Sequence, residues 1–372
     1  MNKIKILEVV YKDPKGKESG GLERYAVNVK KTTNKKKFEV MFAYACINNN
    51  MKNQSKNDII INIPNIPMLK KLIFNIKLYN YLKKARWKGI IHINGDNGVF
   101  CTKLKGVRTV FTLHGSSLQY ATFLLKTNPI NIIRIFSSAL SGFMELYAYK
   151  NANNIISVSS YCADFMEKFK KRKYIVIPPG IENLPKSINK NKYKSNLKID
   201  KNKLLCIFVG SDGKRKGLDL AISTIGDIKN DKIRLLIVGP NKKPKINNKC
   251  IFFGRIPDSK LKKLYYLSDI LFFPSNSEGF PTVAIEAMSY GTVPLVYNKK
   301  PFNEFLNCKT SFLVKNKYAF ASTLIDILKN NNELINKGRQ CRIESKKFLI
   351  NKLFVKYSQI FEQETLEIIK NE

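Results

Sequence analysis

Glu278 and Glu286, eight positions apart within Pro274 to Pro294 (PSNSEGFPTVAIEAMSYGTVP), are the residues of this chain best placed to do chemistry. An ionised carboxylate only accepts hydrogen bonds, so its natural ligands are donors such as sugar hydroxyls. Between the two acids lie Gly279, Phe280, Thr282 and Val283, whose backbone N–H groups fall where a loop opens into an expected helix. Free N–H groups and the helix dipole make such a place a phosphate site. A carboxylate repels a phosphate, so the acids must address another part of the same ligand. A nucleotide sugar meets both demands, with Glu286 on a ribose diol and Glu278 on the sugar to be moved. Either glutamate alone also fits an ordinary solvated charge at a helix end; the whole block is what carries the reading.

Local elements must hold these groups. Asp269 to Pro274 (DILFFP) reads as a buried strand, Ser275 to Pro281 as a tight loop, and Thr282 to Tyr290 as a helix stopped by Gly291. Pro281, lacking an N–H, suits the first helical turn. A second phosphate candidate follows the expected strand Leu204 to Val209. Gly210, Gly213 and Gly217 there form neither G-x-G-x-x-G nor a Walker loop, and a surface turn would look similar. Arg215 and Lys216 sharpen that reading, because they place two cations where a departing diphosphate needs neutralising. Gly20 and Gly21, after the first strand, would admit a phosphate close to backbone and equally suit a flexible β–α loop. His114 ends the strand VFTLHG, at the edge where α/β sheets present ligand-binding groups, while His92 in IIHING reads as structural or acceptor-side. Arg255 and Ile256 follow another strand, where a polar connection is the plain alternative.

On these residues the chain resembles family 4 of the retaining glycosyltransferases, whose signature is E-x7-E and whose fold is GT-B. Phe208 to Ile222 (FVGSDGKRKGLDLAI) resembles the strand, phosphate loop and helix that open the family's C-terminal domain. Asn154 to Ser159 with Val176 to Glu182 resembles the last strands of the N-terminal domain and the hinge, and Gly20 to Tyr25 (GGLERY) its glycine loop. The resemblance implies an α/β fold of two Rossmann-like, doubly wound parallel-sheet domains facing across a cleft. It also implies that His114 contacts the donor sugar, that the GRI loop at Gly254 to Ile256 meets the base through backbone, and that Arg215 takes the place of an arginine many relatives carry at Ser211.

Length and composition agree with two domains. At 372 residues and 44% hydrophobic, the chain exceeds a usual single core. One series of strands is expected at Ile4 to Val10, Phe38 to Ala43, Ile90 to Asn94, Thr109 to Leu113, Ile155 to Val158 and Tyr174 to Ile177. A second begins at Leu204 and continues at Arg234 to Val238, Cys250 to Phe253, Ile270 to Phe273 and Val293 to Val296. The expected division is residues 1–183 for an acceptor-side domain, 184–345 for a nucleotide-sugar domain, and 346–372 for a terminal helix packing back on the first. The lysine-rich stretch Lys186 to Lys203 reads as the linker. Seven scattered cysteines without a C-x-x-C read as buried thiols, not a metal site or disulfide framework. No apolar stretch reaches the roughly 18 residues that span a bilayer, and MNKIKILEVV reads as a strand, not a signal peptide, so a cytoplasmic protein is expected.

The net charge is +38, and it divides almost evenly between the two halves, which argues against one nucleic-acid face. Residues 51–150 nonetheless carry 15 basic and 3 acidic residues. Within them Leu69 to Lys88 places Leu69, Leu72, Ile73 and Ile76 at helical spacing among lysines, a basic helix that would suit either a sheet face or an anionic membrane on the inner side of the cell. The function expected is retaining transfer from a nucleotide-diphospho-sugar, weakly a UDP-sugar, to a glycan or lipid-linked acceptor, with no cofactor and no obligatory metal. A nucleotide-sugar epimerase of the same fold and a non-catalytic nucleic-acid-binding or scaffold protein are the alternatives.

Overall fold

The structure is a computed structural model that describes residues 3–16, 20–47, 57–182, 202–210 and 213–371. Most of the expected linker, and Ser211, lie outside the described residues. The chain divides into two compact units, Met1–Pro179 with Ile350–Glu372, and Gly180–Leu349.

The first unit is built on a seven-stranded sheet of β1 (Ile4–Val9), β2 (Phe38–Ile47), β3 (Ile59–Ile63), β4 (Gly89–Asn94), β5 (Val107–Leu113), β6 (Asn154–Ser157) and β7 (Ile175–Val176), in the order β3-β2-β1-β4-β5-β6-β7. Neighbouring strands are parallel, and β4 is buried along its whole length, as a central parallel strand covered on both faces should be. Helices α1 (Gly21–Thr32), α2 (Lys70–Lys84), α3 (Ser117–Thr127), α4 (Ile132–Asn151) and α5 (Ser160–Glu167) lie between strands. The β1–β4 register sets Glu8 beside His92. A buried polar chain starts there: the Glu8 carboxylate is 2.8 Å from His92 Nδ1, and His92 Nε2 is 2.7 Å from Thr112 Oγ1. Thr112 then meets Tyr357 Oη at 2.9 Å, Tyr357 meets Tyr25 Oη at 2.7 Å, and Tyr25 donates to the Ile177 carbonyl. Tyr357 belongs to the terminal helix Val355–Asn371, which also places Glu364 between Arg108 and Asn154. His92 is therefore a fully buried structural residue that helps fasten this helix to the sheet.

Helix α2 departs from its expected facing. It buries Phe74, Asn75, Leu78 and Leu82, whereas Leu69 and Ile76 of the expected apolar stripe are exposed. The reason is polar: Asn75 Oδ1 accepts from the N–H groups of Gly98 and Val99 at 2.6 and 2.8 Å, and its Nδ2 donates to the Asp96 carbonyl. Turning the helix toward this turn satisfies buried backbone groups that would otherwise cost about 1–3 kcal/mol each. Lys71 consequently pairs with the Asp96 carboxylate at 2.7 Å.

The second unit carries a six-stranded parallel sheet of β8 (Leu204–Val209), β9 (Ile233–Val238), β10 (Cys250–Gly254), β11 (Ile270–Phe272), β12 (Val293–Tyr297) and β13 (Phe312–Val314), in the order β10-β9-β8-β11-β12-β13. Both sheets reverse winding direction between their first and fourth strands in sequence, so each has a topological switch point there, β1/β4 and β8/β11. The edge strands β3 and β13 are additions to the expected series. Six of the cysteines are buried as expected; Cys308 is exposed. Among the described residues no helix is long and apolar enough to cross a membrane.

Candidate active site

The helical turn Gly213–Lys216 after β8 meets the loop that follows β11 at the switch point of the second sheet, which brings together residues 62 positions apart. Lys216 Nζ lies 2.7 Å from Glu278 Oε1 and 2.8 Å from its Oε2. Arg215 Nη1 is 3.5 Å from Glu278 Oε1 and donates to the Ser277 carbonyl at 2.5 Å. Ser275 Oγ donates to Glu278 Oε1 at 2.6 Å, and the Asn276 N–H reaches the Arg215 carbonyl. The carboxylate is nearly buried, and its two cationic partners remain partly open to solvent. Such a carboxylate must be compensated, since an unpaired buried charge is strongly destabilising.

Glycines make this approach possible. Gly217 has φ +79°, and a Cβ there would stand 2.3 Å from the Pro274 carbonyl oxygen. A Cβ on Gly239, φ +112°, would come within 2.7 Å of the Gly210 backbone, and one on Gly210 within 3.1 Å of Lys216 Cγ. Gly210 thus lets the lysine fold back over its own loop. Gly217→Ala is expected to destabilise the protein by about 2–3 kcal/mol through left-handed backbone strain and the clash with Pro274. Urea unfolding would check this; a loss below roughly 0.5 kcal/mol would show that the two loops are not held at this contact.

The helix Thr282–Ser289 begins after Pro281, which is its N-cap and not its first residue. The Thr282 N–H is already taken by the Phe280 carbonyl at 2.9 Å. Of the four expected phosphate donors, Thr282 therefore does not offer its N–H in this conformation. Phe280 is buried edge-on against Phe305 at 4.6 Å, which anchors the loop that carries Gly279 and Glu278. Val283 sits at the second helical position. Glu286, half-buried one turn further on, accepts from Tyr265 Oη at 3.1 Å. Burial, with Glu286 beside it, holds the Tyr265 hydroxyl well above the usual phenol range, so it stays a proton donor to that carboxylate.

Arg255 is exposed and Ile256 half-buried after β10, two strands removed from β8 at the edge of the sheet. No hydrogen bond among the described residues joins them to the Glu278 cluster.

In the first unit, Gly20 and Gly21 open α1. The Gly20 N–H donates to Glu23 Oε2 at 2.8 Å, and a Cβ on Gly21 would meet nothing within 4 Å. His114 follows β5, with Nε2 3.0 Å from Asn94 Oδ1 and its ring edge-on to Tyr25 at 4.7 Å. Asn94 Nδ2 donates to Glu8, which orients the amide so that its oxygen faces His114. His114 Nε2 must then carry the proton, leaving Nδ1 as an acceptor. Burial, with His92 nearby, pushes its pKa down to about 3, so the ring is neutral and suited to accepting from a hydroxyl.

Sequence reasoning passed over Ser275, Tyr265, Asn94 and Lys299. Lys299 donates to the Asn276 carbonyl at 3.0 Å, and burial lowers its pKa. Only Asn94 left a signal in the chain, since the two-residue period of a strand puts it on the face of His92.

Residues 19–183 match the family described as Glycosyltransferase Family 4, and residues 189–347 the family of Glycosyl transferases group 1. An uncharacterised glycosyltransferase of Methanocaldococcus jannaschii is 26% identical over 64% of this chain and 65% of its own length, a little under two thirds. A protein of the cps region of Klebsiella pneumoniae is 23% identical over 71% of this chain and 88% of its own length. Among solved structures, sucrose-phosphate synthase of Thermosynechococcus elongatus superposes with a TM-score of 0.82 at 18% identity, covering 98% of this chain and all of that one. HepE of Anabaena, in complex with UDP and glucose, gives 0.72 at 15% identity, covering 97% of this chain and all of that one. At these identities the structures share the fold.

Proposed function

Because the chain belongs to the family 4, group 1 glycosyltransferases, we propose that it moves a hexosyl group, with retention at the anomeric carbon, from a nucleotide-diphospho-sugar to a glycan or lipid-linked acceptor. The observation that carries this reading is the Glu278 carboxylate held against Lys216 and Arg215 where β8 and β11 separate. An incoming diphosphate offers these cations more negative charge than Glu278 does. It draws them off, and the carboxylate turns to sugar hydroxyls, from which it can accept and the two cations cannot. Lys216 and Arg215 then stabilise the diphosphate as it leaves, the charge that develops in the transition state. Acceptor hydroxyl and leaving phosphate share one face of the sugar, and the phosphate takes the hydroxyl proton, so no protein nucleophile and no metal ion are required.

Glu286, oriented by Tyr265, takes the ribose diol. Gly279, Phe280 and Val283 contribute backbone around the phosphates, and Arg255 with Ile256 borders the base. In the first unit, the open start of α1 at Gly20 and Gly21 suits a phosphate, and neutral His114 suits a hydroxyl donor through Nδ1. A UDP-sugar is favoured by the HepE complexes with UDP and UDP-glucose. Synthesis of a cell-surface polymer is favoured by the cps relative and by the fold likeness to WaaG, a glycosyltransferase involved in lipopolysaccharide biosynthesis; a cytoplasmic location is part of the same proposal.

A panel of nucleotide sugars in thermal-shift assays tests this. The true donor at 100 times its Kd should stabilise by about 2.7 kcal/mol, with UDP-sugars ahead of GDP- and ADP-sugars. Incubation with that donor alone should return it unchanged. Stabilisation by none of them would defeat the reading, and conversion of donor alone to its epimer would replace it with an epimerase.

A further inference from the structure

We propose that the hairpin of α3 and α4 in the first unit docks on an anionic lipid bilayer, with the outer face of α4 inserted at the headgroup level. Helix α4 has a closed side and an open one. The closed side holds Ser141, Gly142, Met144, Glu145 and Ala148; a Cβ on Gly142 would stand 2.6 Å from the Leu118 backbone, so α3 and α4 touch there directly. The open side presents Ile132, Ile133, Phe136 and Phe143, 72%, 63%, 50% and 62% exposed, along three turns. Ile130, 90% exposed before α4, and Leu125, 54% exposed in α3, extend the same end of the hairpin. Scattered exposed apolar residues need no explanation, but a run of large ones along one helix face marks an interaction surface.

Charge identifies the occupant. No Asp or Glu occurs between Asp96 and Glu145, and both of these are buried, Asp96 against Lys71 and Glu145 beneath Ser117. The exposed surface of this stretch thus carries cations and no acid, with Lys126 in α3 and Arg134 in α4 near the isoleucines in sequence. An acidic bilayer surface satisfies both features, since apolar side chains enter the acyl boundary and cations meet lipid phosphates. A second copy of the chain would set the same cations against each other. Helix α2, by contrast, commits Lys71 to Asp96 and exposes its Ile76 to 44%, less than any of the four α4 side chains, so docking is assigned to α4.

Sedimentation of the full chain with vesicles tests this without any sugar substrate, so its outcome is independent of the transfer reaction. Wild type should pellet with phosphatidylcholine vesicles containing a quarter phosphatidylglycerol, much less with phosphatidylcholine alone, and less at high salt. Ile132→Ser, Ile133→Ser and Phe136→Ser together should lower the partition coefficient at least tenfold with no loss of melting temperature, because these side chains are exposed. Lys126→Gln with Arg134→Gln should remove most of the preference for the anionic lipid. Phe136→Trp should show blue-shifted emission, quenched by brominated lipid. Equal binding by the triple serine variant, or no binding by wild type, overturns the proposal; a solution dimer that the triple variant dissolves, without vesicle binding, reassigns the face to contact between copies.

Discussion

Replacing Arg215 and Lys216 together with alanine should lower kcat/KM by a factor on the order of 10² to 10³, about 3–4 kcal/mol of transition-state stabilisation. The size follows from the charge they meet. A departing nucleoside diphosphate gains negative charge as the glycosidic bond breaks, and donors already aimed at that charge need not reorganise. Part of any measured loss will be structural, since Lys216 also compensates the nearly buried Glu278. A double-mutant cycle of Lys216→Met with Glu278→Gln separates the two: coupling in unfolding free energy reports the ion pair, and coupling in kcat beyond it reports catalysis. A chelator should leave wild-type activity intact. Loss of activity in chelator, restored by one divalent ion, would transfer the leaving-group role from the two cations to a metal.

Glu278 and Glu286 should separate kinetically. Glu278→Gln keeps the shape and the bond from Ser275 but loses the charge that aligns the migrating sugar, so kcat should fall on the order of 10²-fold with the donor KM little changed. Glu286→Ala removes a charged acceptor from the nucleotide in ground and transition states alike. The donor KM should then rise roughly tenfold or more, the equivalent of about 1.5–3 kcal/mol for a hydrogen bond to a charged group, with kcat nearly unchanged. Tyr265→Phe should reproduce a weaker form of the Glu286 effect, because it releases that carboxylate from its 3.1 Å partner. Indistinguishable changes in both constants for the two glutamate variants would refute the division of labour.

Much of this molecule was legible in its chain. Buried parallel strands are nearly continuous apolar runs, so β1, β4, β8 and β9 announced themselves, and with helices between them they imply doubly wound sheets. The block around Glu278 and Glu286 was legible because strand, loop and helix start are consecutive, and local geometry depends on local residues. The edge strand β13 was not, since three residues are too few to show a pattern, whereas β3 (IIINI) is an apolar run that was present in the chain and passed over.

What only the tertiary structure decided is everything that depends on strand order. The pairing of Lys216 with Glu278, 62 residues on, exists because β8 lies beside β11, a neighbourhood no local pattern encodes. The facing of α2 likewise turned on Asn75, whose amide is drawn inward by the backbone of Gly98 and Val99, partners more than twenty residues away. The tautomer of His114 was set by Asn94 and Glu8 from two other strands. Residue type and short-range spacing state which groups can accept, donate or carry charge. Which of them share a partner is settled when buried polar groups must find one, and that requirement acts across the whole chain at once.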